Sequence, residues 1–183
     1  MTRLADRARQ SDMQMHKPML PAESRGDLVP VERLDADLVR AGVAMWRALR
    51  HGRRFPGRAA MTSCLTEALR DGSFLVEVLD GGDDYRYRDV GRALVKGFNA
   101  DFAGRRLSGI IETAPRFGLG LRMLYEMVRA GGEPLGYRGW VGEDMPGAAF
   151  IHHENAILPL GEDGVVDHLL VVSVLVLRHP TGA

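Results

Sequence analysis

The chain of 183 residues carries a single cysteine, Cys64. An internal disulfide framework is thereby excluded, and a reducing compartment is the expectation. Neither sign of charge is in excess, because Lys+Arg and Asp+Glu each number 24. That balance removes the global electrostatic case for nucleic acid or for an anionic membrane surface. The apolar run Leu169–Leu177 falls well short of the ~20 residues a membrane-spanning helix needs. Met1 to Gln10 holds charges but no apolar stretch of the kind a secretory signal requires. No internal repeat, low-complexity tract or catalytic motif is visible. These absences point to a cytoplasmic protein with neither membrane insertion nor a nucleic-acid partner.

What is present is an ordinary globular composition, 45% hydrophobic and 26% charged, long enough for one packed domain with extensions. The last third is the most informative part. Leu169–Leu177 is rich in Val and reads as a strand. Being apolar on both faces, it must be covered on both, which predicts a place near the middle of a sheet and beside the first strand. Asp163-Gly164 suits a tight connection between antiparallel strands. Pro159 cannot donate to a ladder, so it belongs at a strand end or edge.

The remainder divides by pattern. Residues 1–33 are polar, contain Pro18, Pro21 and Pro30, and read as a mobile tail. A helix over 34–52 follows, with Asp35 as cap and a stripe of Leu38, Gly42, Met45, Trp46 and Leu49. Arg53 to Arg58 reads as an extended basic connector, since Pro56 disfavours helix at Phe55. A short helix is expected from about Ser63 to Arg70. Phe74–Leu79 and Tyr85–Val90 form a hairpin around Asp80-Gly81-Gly82. Short helices over 91–112 lead into a longer one carrying Phe117, Leu121, Leu124, Tyr125 and Val128, which Gly131-Gly132 ends. Strands are expected around 135–142, 148–158 and 165–178. The prediction is an α+β domain over 53–180: a five-stranded antiparallel sheet, a helical crossover on one face, and an amphipathic helix before it.

The pieces Phe55-Pro56-Gly57-Arg58-Ala59, Tyr85-Arg86-Tyr87-Arg88-Asp89-Val90-Gly91, Asp101-Phe102-Ala103-Gly104-Arg105, Leu158–Gly164 and Asp167-His168-Leu169-Leu170 occur in that order. Together with Trp46 and Gly52-Arg53, they resemble a family of stand-alone bacterial PAS-domain proteins over roughly residues 35–178. The resemblance implies a sensory fold used in regulation. Where family members tend to have acids after Pro-x-Arg-Ala, this chain has Ala60, Met61 and Thr62. Family membership does not fix a ligand.

Alternation on the second strand puts Tyr85, Tyr87 and Asp89 on one face and Arg86 and Arg88 on the other. Arg88 is a candidate anchor for a carboxylate or phosphate; pairing with a local acid such as Asp83 or Asp84 is the plainer account. Tyr125 and Trp140 are candidate pocket aromatics, with Trp46, Tyr137 and Phe150 beside them; ordinary core packing explains aromatics equally well. His152-His153-Glu154 places His152 and Glu154 on one face of a strand, too few ligands for zinc. Cys64 precedes the first strand and does not fit a flavin-adduct photosensor. Gly118-Leu119-Gly120 lacks the rest of a nucleotide fingerprint. No haem, flavin or metal signature is present, so the cofactor is unknown and no metal is expected.

The sequence therefore predicts a regulatory protein that binds a small molecule or a protein partner through Tyr85, Tyr87, Arg88, Tyr125, Trp140 and His152. It signals by association, as a homodimer through its N-terminal helix. Two alternatives stand beside this: a small-metabolite enzyme using an α+β pocket, with His152 or Asp89 as general base, and a ligand-free dimerisation scaffold.

Overall fold

The computed structural model describes residues 26–140 and 150–177. One antiparallel sheet of six strands organises them, in the order β1-β4-β5-β6-β2-β3. In chain order the strands are β1 (Gly26–Val29), β2 (Ser73–Leu79), β3 (Asp84–Val90), β4 (Leu135–Trp140), β5 (Phe150–Glu162) and β6 (Val165–Leu177). Helices α1 (Asp37–Leu49), α2 (Arg58–Ser63) and α3 (Glu67–Asp71) lie on one face. The crossover helices α4 (Arg92–Phe98), α5 (Leu107–Thr113) and α6 (Pro115–Gly131) cover the other.

The final strand β6 sits between β5 and β2, the central place its composition requires. Leu170 and Val172 face the α1–α3 side, where Val172 meets Gly42 of α1. Leu175 faces the crossover and meets Gly97 of α4. Both faces are thereby covered, with Leu169, Leu170 and Val172 fully buried. The β5–β6 hairpin turns through Asp163 (φ 50°) and Gly164 (φ 78°). Two successive left-handed residues match the twist of paired strands, which is why an Asp-Gly pair stands there.

Three expectations are corrected. The sheet has six strands rather than five, and the sixth comes from the segment read as a mobile tail. Gly26–Val29 pairs with Gly136–Gly139, a short 3-10 turn follows at Val31–Arg33, and Leu34 is buried. A four-residue strand with two apolar side chains has almost no periodicity; its order comes from main-chain bonds to the β4 edge. The helix expected at 63–70 begins only at Glu67, because α2 ends at Ser63 and Thr66, accepting from the Leu69 amide (3.3 Å), starts α3. Arg58 opens α2 instead of closing the connector.

The placement of α1 decides between surfaces that the sequence pattern left open. Val39, Gly42, Val43 and Trp46 are buried against its own sheet, on β5 and β6. Docking inside the chain covers the amphipathic stripe on the chain's own sheet, one of the two surfaces that the pattern allows. Trp46 donates its indole N–H to the Pro159 carbonyl at 2.7 Å. Pro159 itself lies inside a long strand, yet β4 pairs no further along β5 than Ile157. The stretch around Pro159 is thus a local edge, where a missing N–H leaves no ladder bond unmade. The connector closes part of that edge, with the Gly161 amide donating to the Pro56 carbonyl at 3.1 Å.

Candidate functional site

The residues singled out from the sequence divide between the two faces. On the crossover face, Tyr85 and Tyr87 of β3 meet Tyr125 of α6, all three almost completely buried. The Tyr87 and Tyr125 hydroxyls are 3.1 Å apart and satisfy each other. Tyr85 donates to Glu126 at 2.5 Å, and Glu126 is held from behind by Arg129 at 2.9 Å. Burial pushes all three phenols above their ordinary range; Glu126 adds to the rise at Tyr85. The Arg129 guanidinium keeps the Glu126 carboxyl below the usual range despite the opposing effect of burial. Phe74, Phe98, Phe102 and Phe117 complete an aromatic layer with ring centroids 5.4–5.8 Å apart.

Arg88 is not part of this layer. A bulge in β3 sets Tyr87 opposite Val76 but Asp89 opposite Leu75, so Arg88 is the extra residue. Arg88 and Arg86 both lie 3.8 Å from Glu77 on the α1–α3 face, the face opposite the tyrosines that alternation predicted for them. Among the described residues the acid that takes these arginines is Glu77 rather than Asp83 or Asp84. The same bulge turns Asp89 away from the tyrosines, contrary to strict alternation, and it lines a groove with Leu75 and Leu170. His152 pairs with Trp140 across β4–β5 and lies apart from the tyrosines. The Trp140 and Phe150 side chains lie outside the described residues. Among the described residues no group of three or more His, Cys, Asp or Glu is placed to hold a metal ion. No helix among them is long and apolar enough to cross a membrane.

Two arrangements were not foreseen. The first is a clasp at the start of α1. Glu154 of β5, 7% exposed, accepts from the backbone amides of Asp35 (2.9 Å) and Ala36 (2.7 Å) and from Arg138 Nε (2.7 Å). Arg138 also donates to Asp35 Oδ2 at 2.6 Å and to the Arg33 carbonyl. Asp35 is therefore not the cap; a sheet carboxylate does that work from 118 residues away. Burial alone would raise the Glu154 pKa, but the Ala36 amide, Arg138 and the Asp35 amide outweigh it and hold the carboxyl below the ordinary glutamate value.

The second is a buried polar chain on the crossover face of β5 and β6. Ser173 donates to Asn155 Oδ1, and the Asn155 amide is 2.6 Å from His153 Nδ1. Accepting at Nδ1 fixes the neutral ring with its proton on Nε2. Loss of solvation beside Tyr137, 5.5 Å away, pushes the His153 imidazole down to about 4 even against the raising effect of Asn155. The one signal for this chain was Ser173, the polar break in the run Leu169–Leu177.

Comparison of the chain with models of known families, with curated proteins and with solved structures finds no match.

Proposed function

We propose that this chain is a PAS-like regulatory module that works by binding, to a small molecule or a protein partner, and signals by association rather than by turnover. One observation carries the reading. A hairpin (β2–β3), a helical crossover on one face (α4–α6) and a three-strand meander (β4–β6) return the last strand, β6, to the side of the hairpin's first strand, β2. With β1 set aside as an addition at the β4 edge, that order is compatible with a PAS-like fold and supports the reading; such folds host many ligands or none. The α1 helix, held on the opposite face by Glu154 and Trp46, is the element through which such a module reports.

The mutual satisfaction of the Tyr87 and Tyr125 hydroxyls favours a second reading, a ligand-free scaffold whose core is filled by its own side chains. Native mass spectrometry of the purified chain, read beside its absorption spectrum, separates the two. A retained mass beyond the polypeptide, lost on unfolding, supports the binding module. A bare polypeptide mass with no added absorbance, from several expression media, favours the scaffold.

A further inference from the structure

On the face opposite the crossover, a groove of about 450 Å³ opens between α2–α3 and the β2–β3–β6 corner. Ligand sites typically occupy ~300–1,000 Å³, so its size admits a small molecule. Its apolar side is Leu65, Leu75, Val90 and Leu170, of which Leu75 and Leu170 are buried core residues. Its charged lining is Glu67, Asp71 and Asp89 against Arg70 and Arg92. These charges are not equivalent. Arg92 donates to both oxygens of Asp71 (2.9 and 2.8 Å) and to Glu67 (2.9 Å), so one guanidinium holds two carboxylates. Arg70 reaches only the Leu65 carbonyl, at 3.4 Å. The Asp89 carboxylate makes no hydrogen bond or ion pair with the described residues. Three acids against two bases leave the lining one negative charge in excess, and among the described residues the exposed Asp89 is the lining carboxylate with no partner.

We infer that this groove binds a small amphipathic amine, with its hydrocarbon body against Leu65 and Val90, the apolar lining residues that keep accessible surface, and its ammonium on Asp89. The argument is charge complementarity at an apolar cleft and goes beyond the regulatory reading, since it holds whether or not the chain signals. A carboxylate ligand would meet the net negative lining and is rejected by it. The β3 bulge at Arg88 is what turns Asp89 into the groove, which gives that irregularity a role.

The test uses the full chain, isotopically labelled, and three probes of one shape: phenethylamine, 3-phenylpropionate and phenylalanine. Phenethylamine is expected to shift the amides around Leu65, Leu75, Val90 and Leu170 saturably. 3-Phenylpropionate should bind more weakly, and added salt should shrink the difference. Asp89→Asn, an exposed and conservative change, should weaken phenethylamine about threefold or more and abolish its advantage over 3-phenylpropionate. Equal binding of amine and carboxylate to the natural chain overturns the inference, as does the absence of saturable shifts at this groove. Tighter binding of phenylalanine than of phenethylamine also overturns it, because recognition would then lie with Arg70. The natural-chain comparison stands even if the variant fails to fold.

Discussion

Replacing Glu154 tests the clasp on α1 most directly. In Glu154→Ala the three charge-assisted bonds to the Asp35 amide, the Ala36 amide and Arg138 disappear together. Bonds of this kind contribute ~1.5–3 kcal/mol each when counted singly, but they share one carboxylate and are not additive. Arg138 keeps Asp35 and the Arg33 carbonyl, and with its side chain 29% exposed it is rehydrated in part. The net loss is therefore about 3 kcal/mol, at the low end for breaking a buried pair. For a chain of this length ~1 kcal/mol moves Tm by ~2–4 °C, so the alanine variant should melt roughly 6–12 °C lower. In Glu154→Gln the amide oxygen still accepts from the two backbone groups, while its NH₂ faces Arg138 donor to donor. About half the loss is expected.

The pH dependence adds a second, independent readout. The Glu154 carboxyl is held below its ordinary value of 4.5 in the folded chain, so the unfolded state binds its proton first. The contribution is fully present above that ordinary value and is lost as the pH falls through the depressed one. Glu154→Gln has no such proton to take up. The gap in Tm between the natural chain and Glu154→Gln should therefore be widest near neutrality and narrow on acidification below pH 4.5. Thermal unfolding by circular dichroism from neutral to acid pH measures it, and amide exchange locates it in the first turn of α1. A Glu154→Gln variant that melts with the natural chain at neutral pH, or a gap that does not close in acid, refutes the reasoning.

Two further expectations concern the core. Tyr87→Phe and Tyr125→Phe should each destabilise by about 1 kcal/mol, and the double variant by clearly less than the sum, because either single change orphans the other hydroxyl; additivity in a denaturant double-mutant cycle would show that the pair does not act as a pair. Gly42→Ala should lower stability by about 1–2 kcal/mol despite better helix propensity, since its Cβ would lie 2.7 Å from Val172 Cγ2; a stabilised variant by urea titration would show that α1 sits further from the sheet.

The legible parts of the fold are those where one chain segment's own pattern determines its place. The two-sided apolarity of Leu169–Leu177 locates β6, and the stripe on α1 requires a surface to cover it. The pattern does not say which surface: own sheet and partner helix satisfy it alike, and close packing of Gly42 on Val172 becomes visible only in three dimensions. β1 was hidden because main-chain pairing, not side-chain periodicity, holds it. Among the site residues, Tyr85, Tyr87 and Tyr125 do meet, as period-two and helical spacing suggested. Asp89 was misjudged as a member of a strictly alternating strand, because a one-residue bulge is silent in the sequence. Glu154 was seen only as a metal candidate beside His152. Its true partners, Asp35 and Ala36, are more than a hundred residues away, and nothing local to Glu154 predicts them.

The way α1 is fastened bears on the reporting role proposed for it. Its start is tied to β5 at Glu154 and its last turns at Pro159, through Ala36 and Trp46 respectively. From Ala36 to Trp46 the helix advances ten residues, about 15 Å at 1.5 Å per residue. From Glu154 to Pro159 the strand advances five, about 17 Å at 3.3 Å per residue. The two spans match, so both ends engage with helix and strand near their ordinary geometry, and neither bond needs distortion. Sliding the helix by one turn would carry Trp46 ~5 Å from Pro159 and the Ala36 amide the same distance from Glu154, losing both ends at once. Gly42, between them, rests on Val172 with no room for a side chain, so a slide would also drive a larger residue into β6. Graded movement along the sheet is thereby disfavoured, and α1 is either seated or released. Its two hydrogen-bonded ends are on β5 and its apolar face rests on β5 and the neighbouring β6, whose opposite faces carry Asn155 and Ser173 on the crossover side. Under the regulatory reading proposed above, an event on that side would act on α1 through these two strands of one sheet, with no intervening loop.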